Sequence, residues 1–263
     1  MKKLLVLFML LSVALAFVSK HAIAENCEFQ MADMNWPSAT LIANVDKFIL
    51  EEGYGCKIEL IPGATTATFV TMNEKGKPHV APELWTNSVA EPLEKAMEEG
   101  RLFSAITGPI TELGEGWWVT PETLKRHPEF KTVLDILERP DLFPAKEDIT
   151  KGEFIGCPAG WGCQQSNQSL FIAYEMGKKG WILVDPGSKA GLDGSMSKAA
   201  ERGDNWFGYY WSPTSLIGKY NMKLMEFGVP FAGYENWDGC IAKGPEVCID
   251  PKPSAWTKSI VQT

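Results

Sequence analysis

An α/β fold is predicted by three features of this chain. Segments of helical and strand periodicity alternate along it, turn residues separate them, and no repeat or low-complexity linker interrupts the series. Ser38 is placed to cap a first helix with Leu41, Val45, Phe48 and Ile49 on its apolar face and a stop at Gly53. Cys56, Ile58 and Leu60 then alternate as a strand does. Residues 91–99 read as a helix ended by Gly100, and Thr120-Pro121 opens another that stops at His127-Pro128. Residues 164–176 form a helix with Ser166 or Asn167 as its cap. Residues 181–184 are a short apolar strand before Asp185-Pro186-Gly187. Residues 206–211 form an aromatic strand closed by Ser212-Pro213. Its two-residue period puts Tyr209 and Trp211 on one face and Trp206 and Tyr210 on the other. After Asp250-Pro-Lys-Pro253 no helix or strand signal closes the domain, which reads as a truncated tail.

The front of the chain gives its address. Lys2 and Lys3 precede an apolar run from Leu4 to Val18, and His21-Ala22-Ile23-Ala24 ends in an Ala-x-Ala pattern. This is a secretory leader, residues 1–24, cleaved after Ala24, and it implies a periplasmic protein. Cys27 follows Glu25-Asn26 rather than a lipobox. Removing the leader takes away Lys2, Lys3 and Lys20 and leaves 22 basic against 33 acidic residues, a net charge of −11. So acidic a chain is a poor partner for nucleic acid or anionic membranes, and a freely diffusing monomer is expected.

Six cysteines in an exported chain suggest disulfides. The short spans Cys157–Cys163 and Cys240–Cys248 pair within themselves and leave Cys27 with Cys56. A metal site is disfavoured, since there is no C-x-x-C and neither His79 nor His127 adjoins a cysteine. No metal or other cofactor is expected. An enzyme is disfavoured because no Gly-x-Ser-x-Gly elbow, metal motif or phosphate-binding loop appears.

Ten tryptophans are a heavy load for 263 residues, and three sit in turn-like or strand-end settings where binding residues concentrate. Trp85 follows Pro82-Glu83-Leu84, Trp161 lies between two glycines inside the Cys157–Cys163 loop, and Trp211 ends the aromatic strand. The loop Cys157-Pro-Ala-Gly-Trp-Gly-Cys163 runs into a helix start, so an aromatic face stands beside N–H groups that receive an anionic oxygen. That pairing suits a zwitterion with a bulky methylated cation. Such a cation has no N–H to donate and is recognised by charge and shape, each dry aromatic contact contributing about 2 kcal/mol. Three rings and one oxygen contact approach the roughly 8 kcal/mol of a micromolar complex. The rival reading is a secreted carbohydrate-binding protein, because tryptophan platforms also stack on sugars.

The same loop, with the following Gln164-Gln-Ser-Asn-Gln-Ser-Leu-Phe-Ile-Ala-Tyr-Glu-Met176, resembles the periplasmic glycine betaine/proline betaine-binding proteins of ABC importers. Gly208-Tyr-Tyr-Trp-Ser-Pro213 resembles their aromatic strand and Leu84-Trp85-Thr86 their first cage segment. The resemblance implies a type II periplasmic-binding-protein fold, two α/β lobes closing about a hinge. Lobe 1 would be residues 25–118 and 222–263, and lobe 2 residues 119–221. It implies a cage of Trp85, Trp161 and Trp211, with the Gly162 and Cys163 N–H groups and Tyr209 at the ligand. It also implies a membrane permease and cytoplasmic ATPase as partners. The chain departs from that family in two ways: Asn87, Ser88 and Val89 follow Trp85 where a histidine is usual, and the tail stops before the helices that complete the first lobe. Met34-Asn-Trp36, Val80-Ala-Pro-Glu-Leu-Trp85, Gly116-Trp-Trp118 and the Trp237-Asp-Gly-Cys240 to Cys248 loop are similar to trimethylamine-N-oxide-binding proteins. By that likeness Glu115 is the acidic residue at the ligand. The ligands expected are glycine betaine or trimethylamine N-oxide, with choline and dimethylsulfoniopropionate as further members of the class.

Overall fold

The computed structural model describes residues 27–105 and 110–263, so the expected leader and its cleavage point lie outside the described residues. Strand β1 (Glu28–Met34) and strand β2 (Lys57–Gly63) pair in parallel and are joined by helix α1 (Pro37–Tyr54). Helix α2 (Thr65–Lys75), the two-residue strand β3 (Leu84–Trp85), a 3-10 turn at Thr86–Ser88 and helix α3 (Ala90–Glu98) follow. A long strand, β4 (Ile110–Val119), then leads into α4 (Pro121–Arg126), α5 (Val133–Leu137), β5 (Gly152–Ile155), α6 (Gly162–Ala173) and β6 (Trp181–Val184). The series continues with α7 (Lys189–Arg202), β7 (Phe207–Ser212), α8 (Ser215–Tyr220), β8 (Lys223–Leu224), α9 (Tyr234–Asp238) and β9 (Ser259–Gln262).

The main sheet runs in the order β3-β9-β4-β7-β5-β6, with β8 also on β4. β4 carries this sheet. Its first half pairs antiparallel with β9 and its second half antiparallel with β7 and β8. β5 adds parallel neighbours β6 and β7. Mixed pairing of this kind gives the α/β class expected from the alternation. The core gathers at the end of β4. Trp117 is fully buried, with Phe154, Phe207, Tyr174 and Phe227 at ring-centroid distances of 4.5, 5.6, 5.7 and 5.1 Å. Its indole N–H is satisfied by Asn167 Oδ1 at 2.7 Å, as a buried donor requires.

Several local expectations hold. Residues 181–184 form β6, Thr120 stands at the start of α4 with His127 at its end, and all three disulfides pair as expected. Others are corrected. Helix α1 has Trp36 rather than Ser38 at its N-cap. Pro37 takes the first helical position, where a missing N–H does no harm, and Gly55 rather than Gly53 ends the helix with φ 71°. The Ser38 hydroxyl instead donates to Glu83 Oε1 at 2.9 Å.

The apolar face of α1 points outward, with Leu41, Val45, Phe48 and Ile49 46–67% exposed. Ala39 and Ala43 face inward instead, and Ala43 packs with Met31, Cys56 and Ile58. Only small side chains let the α1 backbone lie that close to the β1–β2 pair. Helix α6 starts at Gly162 with Trp161 at its N-cap, so Ser166 and Asn167 are buried interior residues rather than caps. The tail is not structureless, since β9 fills the gap between β3 and β4.

This arrangement predicts opposite sensitivities on one helix. Phe48→Ser should change stability by less than about 0.5 kcal/mol, as an exposed site does. Ala43→Leu should destabilise by about 1–3 kcal/mol through overpacking against β1 and β2. Urea-unfolding midpoints of the two variants check this, and a larger loss for the Phe48 variant would reverse the assignment of faces.

Candidate functional site

One small cavity, about 40 Å³ of free space, gathers residues from widely separated segments. All seven site residues read from the sequence line it: Trp85, Glu115, Trp161, Gly162, Cys163, Tyr209 and Trp211. The cavity also takes in Trp36, Thr65, Asn87, Ser88, Ser166 and Trp256. From the sequence Trp36 has no assigned role, and the segment around Trp256 carries no helix or strand signal.

Strand pairing positions one wall. Glu115 on β4 stands opposite Trp211 on β7, and Trp117 stands opposite Tyr209. Residues opposed in an antiparallel pair share a face, so Glu115, Tyr209 and Trp211 project together. The expected two-residue period of β7 holds. Trp206 and Tyr210 turn the other way, their polar tips bonded to Ser195 and Asp193 of α7. Trp85 is held by the β3–β9 pairing, opposite Val261.

The rings meet at angles. Trp161 lies edge-on to Trp211, with centroids 5.2 Å apart and planes 79° apart, and edge-on to Trp36, at 5.5 Å and 74°. Tyr209 stacks beside Trp211 at 6.5 Å and 23°. Perpendicular rings make a corner with several π faces rather than a flat platform. Trp161 is fixed by its indole N–H bond to Asn35 Oδ1 at 2.6 Å and by the Cys157–Cys163 bridge around it.

The polar groups are sorted by sign. At one side is the N-terminus of α6, where the Gly162 and Cys163 N–H groups lie in the first turn and have no acceptor within the helix. That end carries the positive pole of the helix dipole. A Cβ at Gly162 would fall 1.8 Å from Ser88 Oγ, so only glycine lets α6 approach that turn. At the other side is Glu115. It accepts from the Tyr209 hydroxyl at 2.7 Å, the Asn87 amide at 2.6 Å and the Ser259 hydroxyl at 3.0 Å. The Trp256 indole N–H also favours its charged form, although that N–H falls short of a hydrogen bond.

Glu115 is only half-buried by surface area, because it faces the cavity, but it lies deep in the protein. Desolvation holds its carboxyl above the ordinary glutamate range despite these donors. Burial, and then the neighbouring Glu115, raises the Tyr209 hydroxyl well above its usual value. No Lys, Arg or His is among the lining residues. Among the described residues no group of three His, Cys, Asp or Glu side chains could hold a metal ion.

Residues 28–263 match the family described as the substrate binding domain of an ABC-type glycine betaine transport system, OpuAC. No curated protein gives a significant sequence match. Among solved structures, the fold is similar to the glycine/betaine/L-proline-binding protein (ProX) of an ABC transporter from Borrelia burgdorferi. That likeness has 16% identity and a TM-score of 0.61, over 89% of this chain and 75% of that one. An ABC-transporter choline-binding protein in complex with choline is similar at 14% identity and TM-score 0.61, over 90% of this chain and 71% of that one. Lactococcal OpuAC, closed on glycine betaine, is similar at 15% identity and TM-score 0.55, over 90% and 78%. At such identities the likeness establishes the two-lobe fold of periplasmic binding proteins and leaves the ligand to the site itself.

The raised Glu115 has a consequence for stability. Its folded pKa lies above the ordinary 4.5, so ionising it is harder in the folded state than in the unfolded one. This penalty is absent below about pH 4.5 and grows as pH rises toward the folded pKa. Glu115→Gln cannot ionise and escapes it. The variant should therefore gain stability relative to the parent between about pH 4 and about pH 8. Urea midpoints at both pH values check this, and a difference independent of pH would contradict the raised pKa.

Proposed function

This chain belongs to the family of substrate-binding domains of ABC-type glycine betaine transport systems, and from that premise we propose that it captures a small methylated-ammonium osmolyte in the tryptophan-walled cavity. Members of the family are solute-binding proteins rather than enzymes. They work outside the cytoplasm and hand their ligand to a membrane permease driven by an ATPase. In keeping with this, no helix among the described residues is long and apolar enough to cross a membrane.

The observation that carries the reading is the sorted polarity of the cavity. Trp36, Trp85, Trp161 and Trp211 line it, aromatic rings of the kind that attract a cation, and a helix N-terminus and a buried acid stand at its margins. We assign one lobe to residues 25–118 and 222–263 and the other to residues 119–221. On that division Trp36, Trp85, Glu115 and Trp256 come from one lobe, and Trp161, Gly162, Cys163, Tyr209 and Trp211 from the other. A ligand then bridges the two lobes, and closure excludes water from around it, with a monomer sufficient for capture.

Trimethylamine N-oxide is the member of the class that suits the cavity best. Asn87, Ser88 and Val89 follow Trp85 where the betaine binders carry a histidine, and the Asn87 amide is engaged by Glu115. No cationic side chain is there to pair with a ligand carboxylate. A glutamate with a raised pKa is suited to share a proton with an N-oxide oxygen. Glycine betaine is the second reading, supported by the Gly162 and Cys163 N–H groups, which suit a carboxylate. The perpendicular rings argue against the stacking of flat sugars.

Calorimetry against trimethylamine N-oxide, glycine betaine, choline, dimethylsulfoniopropionate and a set of sugars tests this. Trimethylamine N-oxide should bind tightest, and Glu115→Gln should weaken it more than it weakens choline. Trp85→Ala, Trp161→Ala and Trp211→Ala should each weaken binding about thirtyfold, the loss of one dry cation–π contact. Wild-type affinity in two of these three, or binding of sugars alone, would overturn the assignment.

A further inference from the structure

Behind the cavity lies a second carboxylate that does not line it. Glu83 is 5% exposed and immediately precedes β3. A single oxygen, Oε1, accepts three hydrogen bonds: from the Trp36 indole N–H at 2.7 Å, the Trp85 indole N–H at 2.9 Å and the Ser38 hydroxyl at 2.9 Å. The other oxygen, Oε2, is buried without a partner. No ion pair found among the described residues includes Glu83. Trp36 and Trp85 come from different elements, the N-cap of α1 and strand β3, yet both line the cavity.

Packing alone does not call for this arrangement. Burying a carboxylate with one oxygen unpaired is unfavourable, and a neutral acceptor would satisfy the same donors. What a carboxylate adds is charge. A cation is drawn to an aromatic face by the negative potential of the ring. An indole whose N–H is bonded to an anion is polarised so that its ring becomes more negative, and low dielectric strengthens the effect. With no cation beside it, the Glu83 charge is not cancelled locally.

We propose that Glu83 is a positioning residue acting from outside the cavity, its carboxylate fixing the Trp36 and Trp85 rings and making their faces more attractive to a methylated cation. The inference rests on the reading of the cavity as a methylated-ammonium site. It gives the cage two anionic groups with separate tasks. Glu115 reaches the ligand directly, and Glu83 works through two indoles.

The experiment compares Glu83→Gln and Glu83→Asp with the parent, by calorimetry with trimethylamine N-oxide and choline. Thermal unfolding checks the fold, and the indole N–H resonances of Trp36 and Trp85 are followed by NMR. Gln keeps the length and an acceptor but loses the charge, whereas Asp keeps the charge but shortens the reach. The Gln variant should remain folded, bind both ligands about tenfold more weakly, and move the Trp36 and Trp85 indole resonances upfield while leaving that of Trp161 in place. The Asp variant should stay closer to the parent in affinity than the Gln variant does. Unchanged affinity in Glu83→Gln, or a greater loss in Glu83→Asp than in Glu83→Gln, would overturn the electrostatic role. Failure of the parent to bind any methylated ammonium would instead overturn the function on which the inference rests.

Discussion

A carboxylate removed from water must be surrounded by donors, and Glu115 draws its donors from three places. Asn87 comes from the turn after β3, Tyr209 from β7 and Ser259 from β9, and their side chains converge on two oxygens. Those elements are the neighbours of β4 in the main sheet or lie directly beside them. Satisfying one buried acid therefore also sets the relative positions of the walls that carry Trp85, Trp211 and Trp256. Desolvation still outweighs these donors and keeps the Glu115 pKa raised.

The charges of the molecule have a common sense. The chain is acidic, with a formal net charge of −8, the cavity holds one carboxylate at its edge, and a second lies behind two of its rings. An acidic surface draws cations toward the cleft over a Debye length, about 10 Å at ordinary ionic strength. Within the cavity, the anionic end of a solute meets only neutral donors, the first N–H groups of α6 and nearby hydroxyls. Hydrated metal ions find no cluster of oxygen ligands, and a simple anion finds no basic side chain.

Much of this was legible in the sequence, for identifiable reasons. β7 was readable because a two-residue period in an aromatic strand is unambiguous, and it put Tyr209 and Trp211 on the cavity face. The short spacings Cys157–Cys163 and Cys240–Cys248 left little freedom in pairing. The face of α1 misled because periodicity shows that a helix is amphipathic and does not show which stripe meets the protein. Close packing against β1 and β2 selected Ala39 and Ala43 over the larger Leu41 and Phe48. Trp36 and Trp256 were missed because their place in the cavity depends on contacts between distant segments. The only local hints were Asn35 and Pro37 on either side of Trp36 and Pro251 and Pro253 shortly before Trp256. The cap of α6 was misplaced because Trp161 offers no side-chain acceptor, so the helix start carries no capping signature.

The position of β9 bears on how the molecule comes into being. The Ser259–Glu115 bond spans 144 residues and the Thr86–Ile260 contact spans 174, pairings that no local segment can nucleate. Contacts so far apart in sequence form slowly, after the entropy of closing long loops has been overcome. Until residues 256–262 have been synthesised and threaded between β3 and β4, the sheet has a gap and Glu115 lacks one of its donors. A chain that lacks these residues has no assembled cavity, so the site is among the last features of the fold to form.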